Sequence, residues 1–185
     1  MILGLDISST CTGVAFLKDD GKLYHFSFID TNKRKNKANA EQFQDLFDIV
    51  DEIVQYFRNF YLIHPTAPKI TEIHIEEPLK KFTPGFSSME TLSTLLKVNY
   101  AVSFELFKLF GLKPIYHDPR SAAKLAGIKL AKGDDKKQVV FEKMREKYKE
   151  FNDAIPPKLP KKHPYLDASD AILIATAGYE SRKST

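Results

Sequence analysis

Apolar residues recur along this chain with two different periods, and the switches between them predict most of its elements. Ile2 to Ile7 is a short apolar run containing Asp6, and polar Ser8 to Gly13 follows it. Val14 to Leu17 resumes the apolar pattern, Asp19-Asp20-Gly21-Lys22 is a turn signal, and Leu23 to Ile29 alternates with aromatics. Three strands joined by short loops read as an antiparallel meander. From Ala40 to Tyr61 the spacing changes. Phe43, Leu46, Phe47, Val50, Ile53, Val54, Phe57 and Phe60 fall on one stripe of a helix. Ile70 to Ile75 is β-branched and alternating, a fourth strand that runs into Glu76-Glu77-Pro78.

Ser87 to Phe110 reads as a long helix closed by Gly111. Its second half is apolar nearly all round, which predicts cover on both sides, one from its own sheet and one from a second subunit. Lys113 to Tyr116 is a short fifth strand, and Asp118-Pro119 starts a helix with Asp as N-cap and Pro at the first helical position. A Lys-rich helix is predicted from Asp134 to Glu150, then a proline-rich connection, then a last helix from Tyr165 to Tyr179 with a frayed tail at 180–185. This order predicts an α/β fold with a mixed five-stranded sheet, its first three strands antiparallel and the others parallel, flanked by helices. With 185 residues and neither repeat nor linker, one domain over 1–185 is expected.

Composition narrows the class. An apolar fraction of 43% excludes a largely disordered chain. No stretch approaches the ~20 apolar residues of a membrane span, and Met1 to Leu5 lacks the basic start of a signal peptide. The single cysteine, Cys11, can form neither an internal disulfide nor a cysteine-based zinc site. Together these point to a cytoplasmic protein. The net charge of +4 is unevenly spread: Asp118 to Tyr165 holds 13 Lys/Arg against 7 Asp/Glu, leaving 15 against 17 elsewhere. A basic half joined to a mildly acidic one suggests a surface for a polyanion.

Four acids stand where they could meet. Asp6 and Glu76 end strands that would emerge at one sheet edge if adjacent and parallel, the edge at which open α/β sheets place ligands. Asp167 and Asp170, three apart, share a face of the last helix. Four clustered carboxylates repel unless cations neutralise them, and oxygen-only ligands select hard ions, Mg²⁺ or Mn²⁺. Two such ions about 3.5–4 Å apart suit phosphodiester hydrolysis. Glu77 competes with Glu76, because the strand pattern leaves their facing open.

Order and spacing resemble a known family. Ile2-Leu-Gly-Leu-Asp6-Ile-Ser-Ser-Thr-Cys-Thr12-Gly13 resembles the first motif of RuvC-type Holliday junction resolvases, Ile75-Glu76-Glu77 the second, and Leu166-Asp167-Ala-Ser-Asp170-Ala171 the closing helix. Lys136-Lys137-Gln138-Val139 is similar to a Lys-x-Gln-Val segment that opens a helix in that family, and Arg120 followed by Ser-Ala-Ala-Lys124 also fits. The resemblance covers nearly the whole chain. It implies an RNase H-like sheet, a homodimer, and paired symmetric nicks in a four-way DNA junction. Carried over by position, Asp6, Glu76, Asp167 and Asp170 would be metal ligands, and Lys136 would sit near the scissile phosphate, with Lys137 its nearest rival. Arg120, Lys124, Lys132 and Lys137 would contact DNA.

Two departures qualify it. Asp6-Ile7-Ser8 replaces the Asp-Pro-Gly usual in bacterial members, which suggests a phage or viral source acting in the host-cell cytoplasm. The aromatic expected three residues after the motif Glu is Leu79, so Phe82 or Phe86, beside Lys80 and Lys81, would have to stack on a junction base. Three other functions compete: a same-fold nuclease for flaps, forks or other branched DNA, a non-catalytic nucleic-acid binder, and an actin-like or sugar-kinase-type ATPase. The last needs a glycine-rich phosphate cradle that Ser8-Ser9 does not supply.

Overall fold

The structure is a computed structural model that describes residues 1–31, 42–78, 89–156, 159–160 and 163–183. Among the described residues there are five strands: β1 (Ile2–Asp6), β2 (Cys11–Leu17), β3 (Leu23–Asp30), β4 (Glu72–Glu76) and β5 (Ile115–His117). They form one sheet in the order β3-β2-β1-β4-β5. β1 and β3 each pair antiparallel with β2, whereas β4 pairs parallel with both β1 and β5. This is the mixed sheet that the sequence pattern predicts. The described residues also form six helices: α1 (Gln42–Ile63), α2 (Met89–Phe110), α3 (Pro119–Leu125), α4 (Lys136–Lys147), α5 (Lys149–Ala154) and α6 (Tyr165–Arg182).

Strand alternation divides the core into two layers. Leu3, Leu5, Val14, Phe16, Ile73 and Ile75 meet Ile53 and Phe57 of α1 and Val98, Val102 and Leu106 of α2. On the other face Ile2, Ala15 and Leu17 pack with α6, against which Ala122, Val140, Phe141, Met144 and Phe151 of α3 to α5 are laid. α6 is thus the helix buried all round, with every residue from Ala168 to Gly178 buried. Small residues make this possible. A Cβ on Gly4 would lie 2.4 Å from the carbonyl oxygen of Ala171, so helix backbone sits almost directly on β1. Below the far end of α6 runs a polar chain. Arg182 Nε donates to Glu72 (2.7 Å), His74 Nε2 donates to Glu72 (2.8 Å), and His74 Nδ1 and His117 Nε2 share a hydrogen bond (2.8 Å). Burial and the neighbouring His74 hold the His117 imidazole down at about 4.

Two details differ from the sequence pattern. The Lys-rich helix breaks at Tyr148, whose backbone turns extended (φ −118°, ψ 105°) and whose hydroxyl meets Thr176 Oγ1 at 2.9 Å inside the core. Anchoring that side chain outweighs continuing the helix, and α5 then delivers Phe151 to the core. The last helix continues past Tyr179 to Arg182, where the guanidinium binds Glu72 and Asp19. As the pattern predicts, α2 turns one side to its own sheet: Val98, Val102 and Leu106 are buried, while Tyr100 and Phe104 are 57% and 61% exposed. Among the described residues no helix is long and apolar enough to cross a membrane.

Candidate active site

Pairing of β1 with β4 and the seating of α6 bring the predicted acids to one sheet edge. Ile2, Gly4 and Asp6 alternate onto the α6 face of β1, because Leu3 and Leu5 are held in the α1–α2 layer. The same rule resolves the choice in β4. Ile73 and Ile75 enter the α1–α2 layer, so Glu72, His74 and Glu76 face α6, and Glu76 turns toward Asp6 while Glu77 does not share its face. Glu77 still borders the cleft, and its backbone N–H donates to the carbonyl of His117 at 2.8 Å.

α6 contributes Asp167 and Asp170. It can approach this closely because the residue opposite Asp6 in β2 is Gly13: a Cβ there would stand 2.0 Å from the carbonyl oxygen of Asp167. Carboxylate oxygens of Asp6, Asp167 and Asp170 lie within 4.8 Å of one another. Glu76 borders the same cleft, of about 320 Å³, with Ser8, Thr10 and Leu95.

The electrostatics are those of crowded, desolvated acids. Burial raises the Asp6 carboxyl to about 6, with Lys137 opposing and Asp167 adding to the rise. Burial and the charge of Asp6 raise Asp170 to about 8, again opposed by Lys137. Glu76 is pushed well above the ordinary carboxylate range by burial and by Asp6 and Asp170. Proximity of this kind favours a cation, and the donor set of carboxylate oxygens fits a hard divalent ion. Asp6, Asp167 and Asp170 are placed to hold it, and Glu76 borders the same cleft. The thiol of Cys11, which sequence reasoning passed over, borders Asp167 and is itself pushed up, chiefly by burial.

Of the two adjacent lysines, the structure brings Lys137 to the acids. Its Nζ stands 2.6 Å from Asp167 Oδ1 and 3.3 Å from Asp170 Oδ2. Lys136, expected near the scissile phosphate, points elsewhere. Successive helix residues are about 100° apart, and Lys137 is the one that shares a face with buried Val140, Phe141 and Met144 (i+3, i+4, i+7). That spacing is present in the sequence and could have selected Lys137. Lys136 instead lines a neighbouring depression of about 570 Å³ with Arg120, Lys124 and Lys132. No carboxylate among the described residues lies within ion-pair distance of these four cations, whereas Lys143, Lys149 and Lys183 are each paired. Lys80, Lys81, Phe82 and Phe86 lie outside the described residues.

The loop between β1 and β2 bears on phosphate binding. Ser8 Oγ accepts from the backbone N–H groups of Thr10 (3.2 Å) and Cys11 (3.0 Å) and donates to the Cys11 carbonyl (2.6 Å). Amides tied to a side chain in this way are not free to cradle a nucleotide phosphate, which counts against the ATPase alternative.

No protein-family model matches the chain, and no curated protein does. Solved structures do. The chain has the RuvC-like form of the RNase H-like fold. Superposed on "Thermus thermophilus RuvC structure" it gives a TM-score of 0.62 at 16% identity, covering 100% of this chain and 96% of the other. The "T. thermophilus RuvC in complex with Holliday junction substrate" gives 0.61 at 14% identity, with the same coverage. The "Yeast Mitochondrial Holliday Junction Resolvase, Ydc2" gives 0.62 at 14% identity, over 98% of this chain and 78% of that one. These neighbours are bacterial and mitochondrial, so the suggestion of a phage or viral source finds no support in them.

Proposed function

We propose that this protein is a structure-specific endonuclease that resolves four-way DNA junctions, with Mg²⁺ or Mn²⁺ as its required cation. The observation that carries the proposal is the gathering of Asp6, Asp167 and Asp170 within 4.8 Å, beside Glu76, on a fold shared with junction resolvases. A divalent ion held there by these acids would supply Lewis acidity toward a phosphodiester and would make a bound water more acidic. The chain's own residues do the rest. Gly13 and Gly4 fix the distance between β1 and α6, and therefore between Asp6 and the two acids of α6. Lys137 supplies a fixed positive charge at the acids, where negative charge develops on a reacting phosphate. Arg120, Lys124, Lys132 and Lys136 line a depression just beyond, a cluster of cations suited to the DNA backbone.

A homodimer is part of the proposal, since paired nicks need two sites. The exposed face of α2 supports it: Met89, Tyr100, Phe104 and Phe107 follow helical spacing along one exposed apolar stripe. The decisive experiment is a substrate panel. With Mg²⁺ or Mn²⁺ the purified protein should place symmetric nicks in a four-way junction and cut linear duplex far more slowly. Asp6→Asn should bind the junction without cutting it. Flaps cut as fast as junctions would transfer the assignment to a general branched-DNA nuclease, and full activity of the Asp6 variant would defeat the mechanism.

A further inference from the structure

The row of residues that carries Asp6 across the sheet does not stop at Gly13. Register sets Asp6 beside Gly13 and Gly13 beside Phe28, so the three stand level on β1, β2 and β3 and share the α6 face. Two strand spacings of about 4.8 Å place the Phe28 backbone roughly 10 Å from that of Asp6. Over Phe28 lies Tyr165, the first residue of α6 and two positions before Asp167. The two rings meet edge to face with centroids 5.6 Å apart, and Phe26 braces Tyr165 from the same strand at 6.3 Å. His163 then stacks on Tyr165, with centroids 4.9 Å apart and planes 22° from parallel. The backbone N–H of Tyr165 donates to His163 Nδ1 (3.2 Å), which holds the imidazole in this pose. The rings are not part of the closed core: neighbouring Leu166 is buried, whereas Phe28, His163 and Tyr165 are each half-buried. Tyr165 is the one ring that His163 meets among the described residues.

We propose that His163, backed by Tyr165 and Phe28, is a stacking platform for one unpaired nucleobase of the strand whose phosphate lies at the acids. Strand order sets it on the β3 side of the cleft, away from β4. The inference rests on the junction-endonuclease reading and adds to it a place for the base next to the cut. A flat ring held rigid and half-exposed beside a phosphodiester site offers a base a face to stack on. A base within a duplex is already covered on both faces, so the one taken up is a base freed at a branch point. Every base has such a face, so the platform discriminates unpaired from paired rather than one base from another. His163 also caps the start of α6 by accepting from Tyr165 N–H. That role needs an acceptor and no ring, which lets the two be separated by substitution.

The test reads binding, in the full chain carrying Asp6→Asn and in Mg²⁺. End-labelled four-way junctions would be titrated intact and with one abasic site at each position beside the exchange point in turn. At one position the missing base should weaken binding roughly tenfold. His163→Asn keeps an acceptor for the Tyr165 N–H and removes the ring. It should weaken binding of the intact junction by a similar factor and lose nothing further at that abasic position. His163→Phe and His163→Tyr, which keep a ring without the acceptor, should bind as their parent does. Thermal melts would show that each variant is folded, and Tyr165→Leu gives a second ring deletion should His163→Asn melt early. Unchanged affinity in both deletions overturns the platform, as does the absence of any abasic position that weakens binding. So do losses that simply add at every abasic position, or ring-keeping variants as weak as His163→Asn. Each of these leaves the endonuclease reading standing if the wild type cuts the junction. Coupling between ring and base without cleavage by the wild type defeats only that reading. A chain that does not bind the junction defeats both.

Discussion

Gly13→Ala adds a single carbon where β2 touches α6, and its effect can be worked from distances. The new Cβ would stand 2.0 Å from the Asp167 carbonyl oxygen and 2.5 Å from its carbonyl carbon, against about 3.4 Å for ordinary contact. The start of α6 must therefore retreat by roughly 3.4 − 2.0 = 1.4 Å. Backbone cannot swing aside like a side-chain tip, so overpacking of about 1–3 kcal/mol is expected. For a domain of this size ~2 kcal/mol lowers the melting temperature by about 4–8 °C. Asp167 and Asp170 move with the helix while Asp6 stays on β1, and displacements near 1 Å at a reacting centre cost on the order of 100-fold in rate. Calorimetric melts with Mn²⁺ binding and junction cleavage measure all three effects. Gly127→Ala is the control: its backbone is left-handed (φ +78°), but open space surrounds it, so it should lose about 1–2 kcal/mol and leave the site intact. A Gly13 variant that melts within a degree of wild type, with unchanged Mn²⁺ affinity, would refute the claim that this contact sets the site.

Three further outcomes are expected. Asp6 at about 6 and Asp170 at about 8 are raised above their unfolded value of 3.8, so the folded chain binds these protons more tightly than the unfolded one. Their stabilising contribution is complete below pH 3.8 and is lost as pH rises through 6 and 8. In chelator the wild-type melting temperature should decline over that window relative to Asp170→Asn, and saturating Mn²⁺ should remove the difference; parallel profiles would contradict it. Phe104→Glu, at a position 61% exposed, should change chain stability by less than ~0.5 kcal/mol. It should turn a dimer into a monomer in sedimentation, and an unchanged dimer would acquit the α2 face. Removing Arg120, Lys124 or Lys132 should each reduce the slope of log affinity against log salt for junction binding by about 1, whereas Lys143→Ala, whose charge is already paired with Glu146 at 2.6 Å, should not.

Much of the architecture is written in local pattern. Alternation marks the strands, helical spacing marks α1, and Asp118-Pro119 fixes the start of α3 as an N-cap that accepts from Arg120 and Ser121 N–H. These features depend on residues a few positions apart, which a single chain displays. The positions of Asp6 at a strand end and of Asp167 and Asp170 on one helix face are of the same kind.

What the pattern left open are the choices made by distant partners. Glu76 rather than Glu77 faces Asp6 because Ile73 and Ile75 are claimed by α1 and α2. The Lys-rich segment is two helices because Tyr148 finds Thr176 in α6. Lys137 rather than Lys136 meets the acids because α4 turns its Val140–Met144 face to α6, although that stripe was visible in advance. The His74–His117 pair and the seat of Asp167 on Gly13 join residues separated by 43 and 154 positions. The sequence by itself determined the elements and the residue types available at the sheet edge. Tertiary packing decided which face of each strand and helix turns inward, because adjacent residues point in different directions and the layer packed against them selects between the two.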